Sequence, residues 1–295
     1  MENKHTQKYT MLVLASGILW GVTGLFFRQV SAFGFDSKEA LLMRLGFSAV
    51  MLAIVLLVKD RSLFRFRMKD IFFLAGSGVF MFMASFCYFT SLSHTTTAVS
   101  CVLLYTSPAY VLVFSAPLFK EKITGRKIFS LLMIVGGCIF SSGLLESSQT
   151  VTLAGFLWGV GSGISYALYS VFNRYSLARG YSGMTITFYA MTLASIITLF
   201  VVDMPDMAAK MTFDGMLWGI GLAFFCGMMP FLLYTLGMDG METGKAAMLA
   251  SVEPVVAAII SIVVLSEPMS FLIALGVGLI IGGIMIMNVP VKKRN

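Results

Sequence analysis

Long apolar runs, each about 20 residues between patches of polar punctuation, constrain this sequence most, because about 20 helical residues cross some 30 Å of hydrocarbon. Ten such runs can be marked off, centred near Leu19, Ser48, Phe80, Ala109, Val135, Ser162, Ser195, Ala223, Val255 and Val277. Membrane β-strands would alternate apolar and polar residues over about ten positions, and that alternation is missing from the runs. A soluble globule is excluded as well. With 58% hydrophobic residues, 12% charged residues and a mean hydropathy of +0.89, too little polar surface exists to cover 295 residues. The expected fold is an all-α membrane protein of ten transmembrane helices. The first run follows Lys4 and Lys8, as a secretion signal would, but its length and the lack of a clear small-residue cleavage site predict a retained helix.

Charge predicts the orientation. With the N-terminus in the cytoplasm, Lys4 and Lys8, the cluster from Lys59 through Arg61, Arg65 and Arg67 to Lys69, and the cluster Lys120, Lys122, Arg126 and Lys127 all fall on the cytoplasmic side. Arg174, Arg179, Lys245 and the terminal Lys292, Lys293 and Arg294 join them, leaving only Arg28, Lys38, Arg44 and Lys210 of the 21 basic residues elsewhere. A multi-pass protein of the cytoplasmic membrane with both termini inside follows. The net charge of +7 then needs no nucleic-acid partner, since the basic residues orient helices and meet anionic headgroups of the bilayer.

The chain is also duplicated. Tyr88, Ala98, Pro108, Glu121, Gly136 and Gly137 recur at one constant offset as Tyr234, Gly244, Pro254, Glu267, Gly282 and Gly283. The opening Gly17-Ile-Leu-Trp20-Gly21-Val22 recurs as Gly155-Phe-Leu-Trp158-Gly159-Val160 at an offset eight residues smaller, which fits a longer polar loop around Asp203 to Asp214. Five spans per half is an odd number, so the second half enters the membrane from the opposite side. Inverted repeats offer two interconvertible arrangements around a midplane site, the physical basis of alternating access.

The GxLWG opening, an arginine early in the second span, and a proline followed thirteen residues later by glutamate in each half resemble the EamA family of the drug/metabolite transporter superfamily. The resemblance covers residues 11 to 289, nearly the whole chain. It implies two EamA-type five-helix repeats, at residues 9–145 and 152–289, between cytoplasmic tails at 1–8 and 290–295. It also implies a carrier moving amino acids or other small metabolites, commonly outward, through a site lined by the first, third, fourth, sixth, eighth and ninth spans. An uptake carrier or uniporter for a small organic amine, bound by aromatic residues and Glu253, is the alternative.

Charges inside a membrane are costly and mark functional positions. Glu253 lies inside the ninth span, directly before Pro254 and beside Ala246, Ala250 and Ala257, which leave room around a carboxylate. The proline removes a helix hydrogen bond and frees the carbonyl of Ala250, so carboxylate and carbonyl together could bind a proton, a cation or an ammonium group. Its counterpart in the first half is the neutral Ser107. Arg44, about six residues into its span, suits snorkelling or a bond between helices, and could also fix a solute carboxylate. Glu121 and Glu267 close the fourth and ninth spans near opposite faces and join Arg44 and Glu253 as candidates for coupling or gating.

A polar and aromatic stripe runs along one face of the sixth span through Trp158, Ser162, Tyr166, Tyr169 and Asn173, a face expected to avoid lipid. With Trp20, Tyr88, Tyr105 and Tyr234 it supplies rings that could stack on an aromatic or cationic solute. Pro108, Pro230 and Pro254 interrupt central spans. Cys87, Cys101, Cys138 and Cys226 sit singly in apolar runs, and His5 and His94 are the only histidines. No metal site, cofactor or enzyme chemistry is therefore expected. A Walker-type phosphate loop is absent too. A channel or receptor would share the duplicated, interrupted helices, and saturable flux separates a carrier from those. The residues leave the monomer or homodimer question open.

Overall fold

The computed structural model describes residues 2–142, 144–146, 152–264 and 270–288. These are 86% helical, with no strand among them. The helices are α1 (Glu2–Gly21), α2 (Thr23–Ala32), α3 (Ser37–Lys59), α4 (Ile71–His94), α5 (Thr97–Tyr105), α6 (Ser107–Phe119), α7 (Gly125–Ser141) and α8 (Leu153–Ala178). They continue with α9 (Gly183–Leu199), α10 (Met204–Lys210), α11 (Phe213–Gly221), α12 (Met229–Met238), α13 (Thr243–Ala250), α14 (Glu253–Val263) and α15 (Phe271–Asn288).

Starts follow side-chain chemistry. Thr96, Thr124, Thr152, Ser182 and Thr212 each accept a backbone N–H in the first turn of the following helix, and Asp36 with Glu39 forms a full capping box at α3. Breaks follow proline. Pro108 and Pro254 sit in the first turns of α6 and α14, so the apolar runs they occupy divide at repeat-related positions into α5/α6 and α13/α14. Before Pro230 the chain takes one π-helical stretch, Leu222–Met228.

Among the described residues, seven helical stretches are long and apolar enough to cross a membrane, against ten expected runs: Gln7–Ala32, Ser37–Lys59, Met68–His94, Thr97–Phe119, Phe213–Met238, Thr243–Val263 and Phe271–Asn288. The difference has local causes. α7 and α9 are 17 residues each, about 26 Å at 1.5 Å per residue, and α9 bends by 101° into α10. α8 has 26 residues, but it spends one face on buried Ser162, Ser165, Ser170 and Asn173.

The two halves pack as images of one another. A Cβ on Gly137 of α7 would meet Ile280 Cγ1 at 2.6 Å and the Gly276 carbonyl at 2.7 Å on α15; one on its repeat mate Gly283 would meet Ile134 Cγ1 and the Ser130 carbonyl, both at 2.9 Å. These pairings run antiparallel, so the repeat-related helices point in opposite directions. Exchange of the halves also relates α4 on α8 to α12 on α1, and α5/α6 on α8 to α13/α14 on α1. The largest core draws on both, through Trp20, Leu45, Met81, Tyr169, Tyr234 and Met248.

Basic loops gather at one end. There Asp70, buried, accepts from Arg67 Nε at 2.7 Å and the Tyr181 hydroxyl at 2.9 Å and lies 3.2 Å from Arg179 Nε, tying the segment before α4 to the α8–α9 turn. Arg179 also covers the Phe73 ring.

Candidate functional site

A cavity of about 840 Å³ lies between the halves. Its wall runs from Trp20 and Tyr166 at mid-molecule to Phe27, Leu92, Thr97 and Ser142, at the end away from the basic loops, where Gly24 and Thr97 are exposed. The wall is largely apolar, and Arg44 and Glu253 are its only charged side chains among the described residues.

Helix interruption positions both charges. Glu253 begins α14, where the N-terminal end of the helix dipole favours a carboxylate. It receives the Tyr105 hydroxyl at 3.4 Å, from the last residue of α5, so the two helix breaks meet across the cavity. Arg44 donates through Nε to the Cys226 carbonyl at 2.9 Å and stands over the Phe231 ring, 5.2 Å from its centre. That carbonyl is available because Pro230, four residues on, has no N–H to give it. The Ser48 hydroxyl donates to the Ala223 carbonyl of the same π-helical stretch at 2.7 Å. The expected bond between helices thus forms at Arg44, while its side chain still reaches the cavity. The Ala250 carbonyl, also freed by a proline, lies against α1, where a Cβ at Gly17 would meet it at 2.6 Å. It is not on the cavity wall, so it does not join Glu253 there.

Of the residues singled out from sequence, Trp20, Arg44, Tyr88, Tyr105, Tyr166, Tyr169 and Glu253 share this wall. The floor is an aromatic cluster in which Trp20 lies 5.1 Å from Phe231 and 6.1 Å from Tyr166 between ring centres. Four others lie elsewhere. Tyr234 is sealed behind the floor, 2.9 Å from the Ser170 hydroxyl. Ser107 is buried in the first turn of α6, off the wall. Trp158 departs from the lipid-avoiding stripe: it is 36% exposed and packs on Phe86, because the first turns of α8, with Leu153 and Leu157, lie uncovered. Glu121 lies off the wall, buried between α6 and α13, where it accepts from Ser115 Oγ at 2.9 Å and from the N–H groups of Thr243 and Gly244 at 2.6 and 3.1 Å. Glu267, with Lys292, Lys293 and Arg294, lies outside the described residues.

Such an arrangement, one acid and one guanidinium in an apolar, ring-floored chamber, suits a small solute with an ammonium or carboxylate group. Among the described residues no cluster of His, Cys, Asp and Glu could hold a metal ion.

The sequence matches the EamA-like transporter family twice, over residues 7–143 and 153–289. The chain belongs to that family. It is a multi-pass membrane protein and a transporter. Relatives include an uncharacterized transporter of Archaeoglobus fulgidus, 28% identical over 93% of this chain and 94% of that one. The uncharacterized transporter YetK of Bacillus subtilis is 26% identical over 85% of this chain and 78% of its own. The uncharacterized inner membrane transporter YhbE of Escherichia coli K12 is 24% identical over 82% and 75%. A crystal structure of a protein 17% identical to this one superposes with a TM-score of 0.82 over 96% of this chain and 97% of that one, a likeness of fold alone.

For an EamA-family chain the cavity also holds residues that motifs pass over. Cys101 and Cys138 are on the wall, Cys101 with its sulfur 3.1 Å from the Tyr88 hydroxyl. The helical spacing of Thr97, Cys101 and Tyr105 on α5 was the available signal. Arg44 and Ala40 bring in α3, Cys138 brings in α7 and Ile273 brings in α15, beyond the lining implied by resemblance.

Proposed function

We propose that this protein is a secondary active transporter that exports amino acids or other small metabolites across the cytoplasmic membrane by alternating access, with Glu253 as the site of proton coupling or of binding to the solute's amino group. In this reading ten helices span the bilayer as two inverted five-helix repeats, at residues 9–145 and 152–289, and both termini are cytoplasmic. The observation that carries it is the cavity between antiparallel halves, open away from the basic end and ending at Glu253 and Arg44. Basic loops mark the cytoplasmic side, so this conformation faces outward. The partners are a small-molecule solute, the lipid bilayer and protons. In proteoliposomes Glu253→Gln abolishes pH-driven flux, and unchanged flux refutes the assignment.

The aromatic floor beside Glu253 favours a second reading, an uptake carrier or uniporter for a small organic amine. Thermal stabilisation of the purified protein by amines but not by amino acids would select it.

A further inference from the structure

Applying the repeat offset to the cavity wall names a second set of residues. Cys101, Ala258 and Ser261 become Ala247, Leu112 and Ser115, while Thr97 and Ala98 at the mouth become Thr243 and Gly244. In the present conformation this second set is a closed seam. Ala247, Leu112, Ser115 and Thr243 are at most 4% exposed, and a Cβ on Gly244 would meet Leu112 Cδ1 at 3.1 Å. Ala247 and Val111 form a small core of their own with Ala167. Around Leu112 and Val111 the seam is made of the small or polar Ser115, Thr243, Gly244 and Ala247, and the buried Thr243 hydroxyl finds no hydrogen-bond partner in it. A permanent helix contact gains from interlocking large side chains and loses by burying an unpaired hydroxyl; surfaces that part and wet tolerate both features.

One side chain spans the seam. Glu121 leaves the end of α6 and receives three hydrogen bonds, one from its own segment through Ser115 and two from the opposing half through the first N–H groups of α13. A carboxylate at that position is held by charge-assisted bonds and by the helix dipole together. At the rim, Lys127 and Glu242 pair across the same divide at 2.7 Å.

We propose that Glu121 is the latch of a second vestibule, lined by Leu112, Ser115, Thr243, Gly244 and Ala247, which opens at the basic end when the present cavity closes. The proposal rests on the alternating-access reading above. Besides the latch, the seam's charged contact is the Lys127–Glu242 pair at its rim, so release of the carboxylate from two N–H groups together with parting of that pair uncovers a water-permeable path.

The test uses two repeat-related thiols in lipid nanodiscs, where both ends of the protein meet water. Native Cys101 reports on the present cavity and Ala247→Cys on the seam, each read as a site-resolved rate of maleimide labelling by mass spectrometry. Glu121→Ala raises labelling at position 247 by about tenfold or more and lowers it at Cys101. A folded Glu121→Ala protein with unchanged rates overturns the latch. Should that variant fail to fold, Ser115→Ala decides: removing one bond to Glu121 raises labelling at position 247 severalfold, and no change overturns the proposal. Simultaneous rise at both thiols would instead refute alternating access itself, since a carrier exposes one vestibule at the other's expense.

Discussion

Alanine at Gly136 and at Gly137 should have opposite consequences, although the two positions are adjacent on α7. The gain in helix propensity from Gly to Ala, about 1 kcal/mol, applies to both and cancels in the comparison. Space decides the remainder. Nothing lies within 4 Å of a Cβ at Gly136, whereas one at Gly137 would strike backbone atoms of α15, the Gly276 carbonyl at 2.7 Å and the Ile280 nitrogen at 2.9 Å. Backbone cannot swing aside as a side chain does, so the helices must separate, and overpacking of this kind costs about 1–3 kcal/mol. Gly137→Ala is therefore expected to unfold about 1–3 kcal/mol more readily than Gly136→Ala, with Gly136→Ala at or above the parent. The repeat mates supply a second comparison, because Gly283 faces the Ser130 carbonyl while Gly282 meets only the terminal methyl of Met133. Equilibrium unfolding in mixed micelles, followed by circular dichroism, measures all four. Equal shifts for Gly136→Ala and Gly137→Ala would show that α7 and α15 do not pack through this face.

Two further outcomes bear on other parts of the molecule. Asp70→Asn should lower stability at low ionic strength, and by less at 1 M salt, because Arg67 is 55% exposed and such pairs are screened; a salt response equal to the parent's counts against the clasp. Trp20→Phe should abolish any solute-dependent change in tryptophan emission, whereas Trp158→Phe should keep it, and the reverse pattern would move the solute to the other indole.

Duplication made much of this fold readable. The constant offset pairs Gly137 with Gly283 and Pro108 with Pro254, and the structure places the first pair at an antiparallel contact and the second at matching helix breaks. Residue chemistry went further with Glu253, whose polar neighbour across the cavity, Tyr105, could be chosen only as one ring among several. What the offset could not supply is the difference between mates. Trp20 and Trp158 share a motif, yet one is 5% exposed and the other 36%. Tyr88 lines the cavity and Tyr234 is sealed. A motif fixes the position of a side chain along its own helix, whereas exposure depends on which helices cover that turn. Where one residue of a pair lines the cavity and its mate is packed in the bundle, equal residues receive unequal cover. Span length was obscured similarly, since a polar face such as that of α8 is paired inside the bundle and lowers hydropathy without shortening the helix.

The contact between α7 and α15, like that between α3 and α9, joins repeat mates, so exchange of the halves maps it onto itself. If the two end states are related by that exchange, this contact has the same energy in both and drops out of the balance between them. Substitutions at Gly137 or Gly283 would then raise or lower both states together, leaving their ratio untouched. Positions where mates differ behave otherwise. A perfect duplication would make the end states degenerate, and Glu253 with the neutral Ser107 as its mate, or Arg44 with no basic mate, lifts that degeneracy. The resting preference of the carrier is then written in the mismatches between its halves, a short enough set to be exchanged one pair at a time.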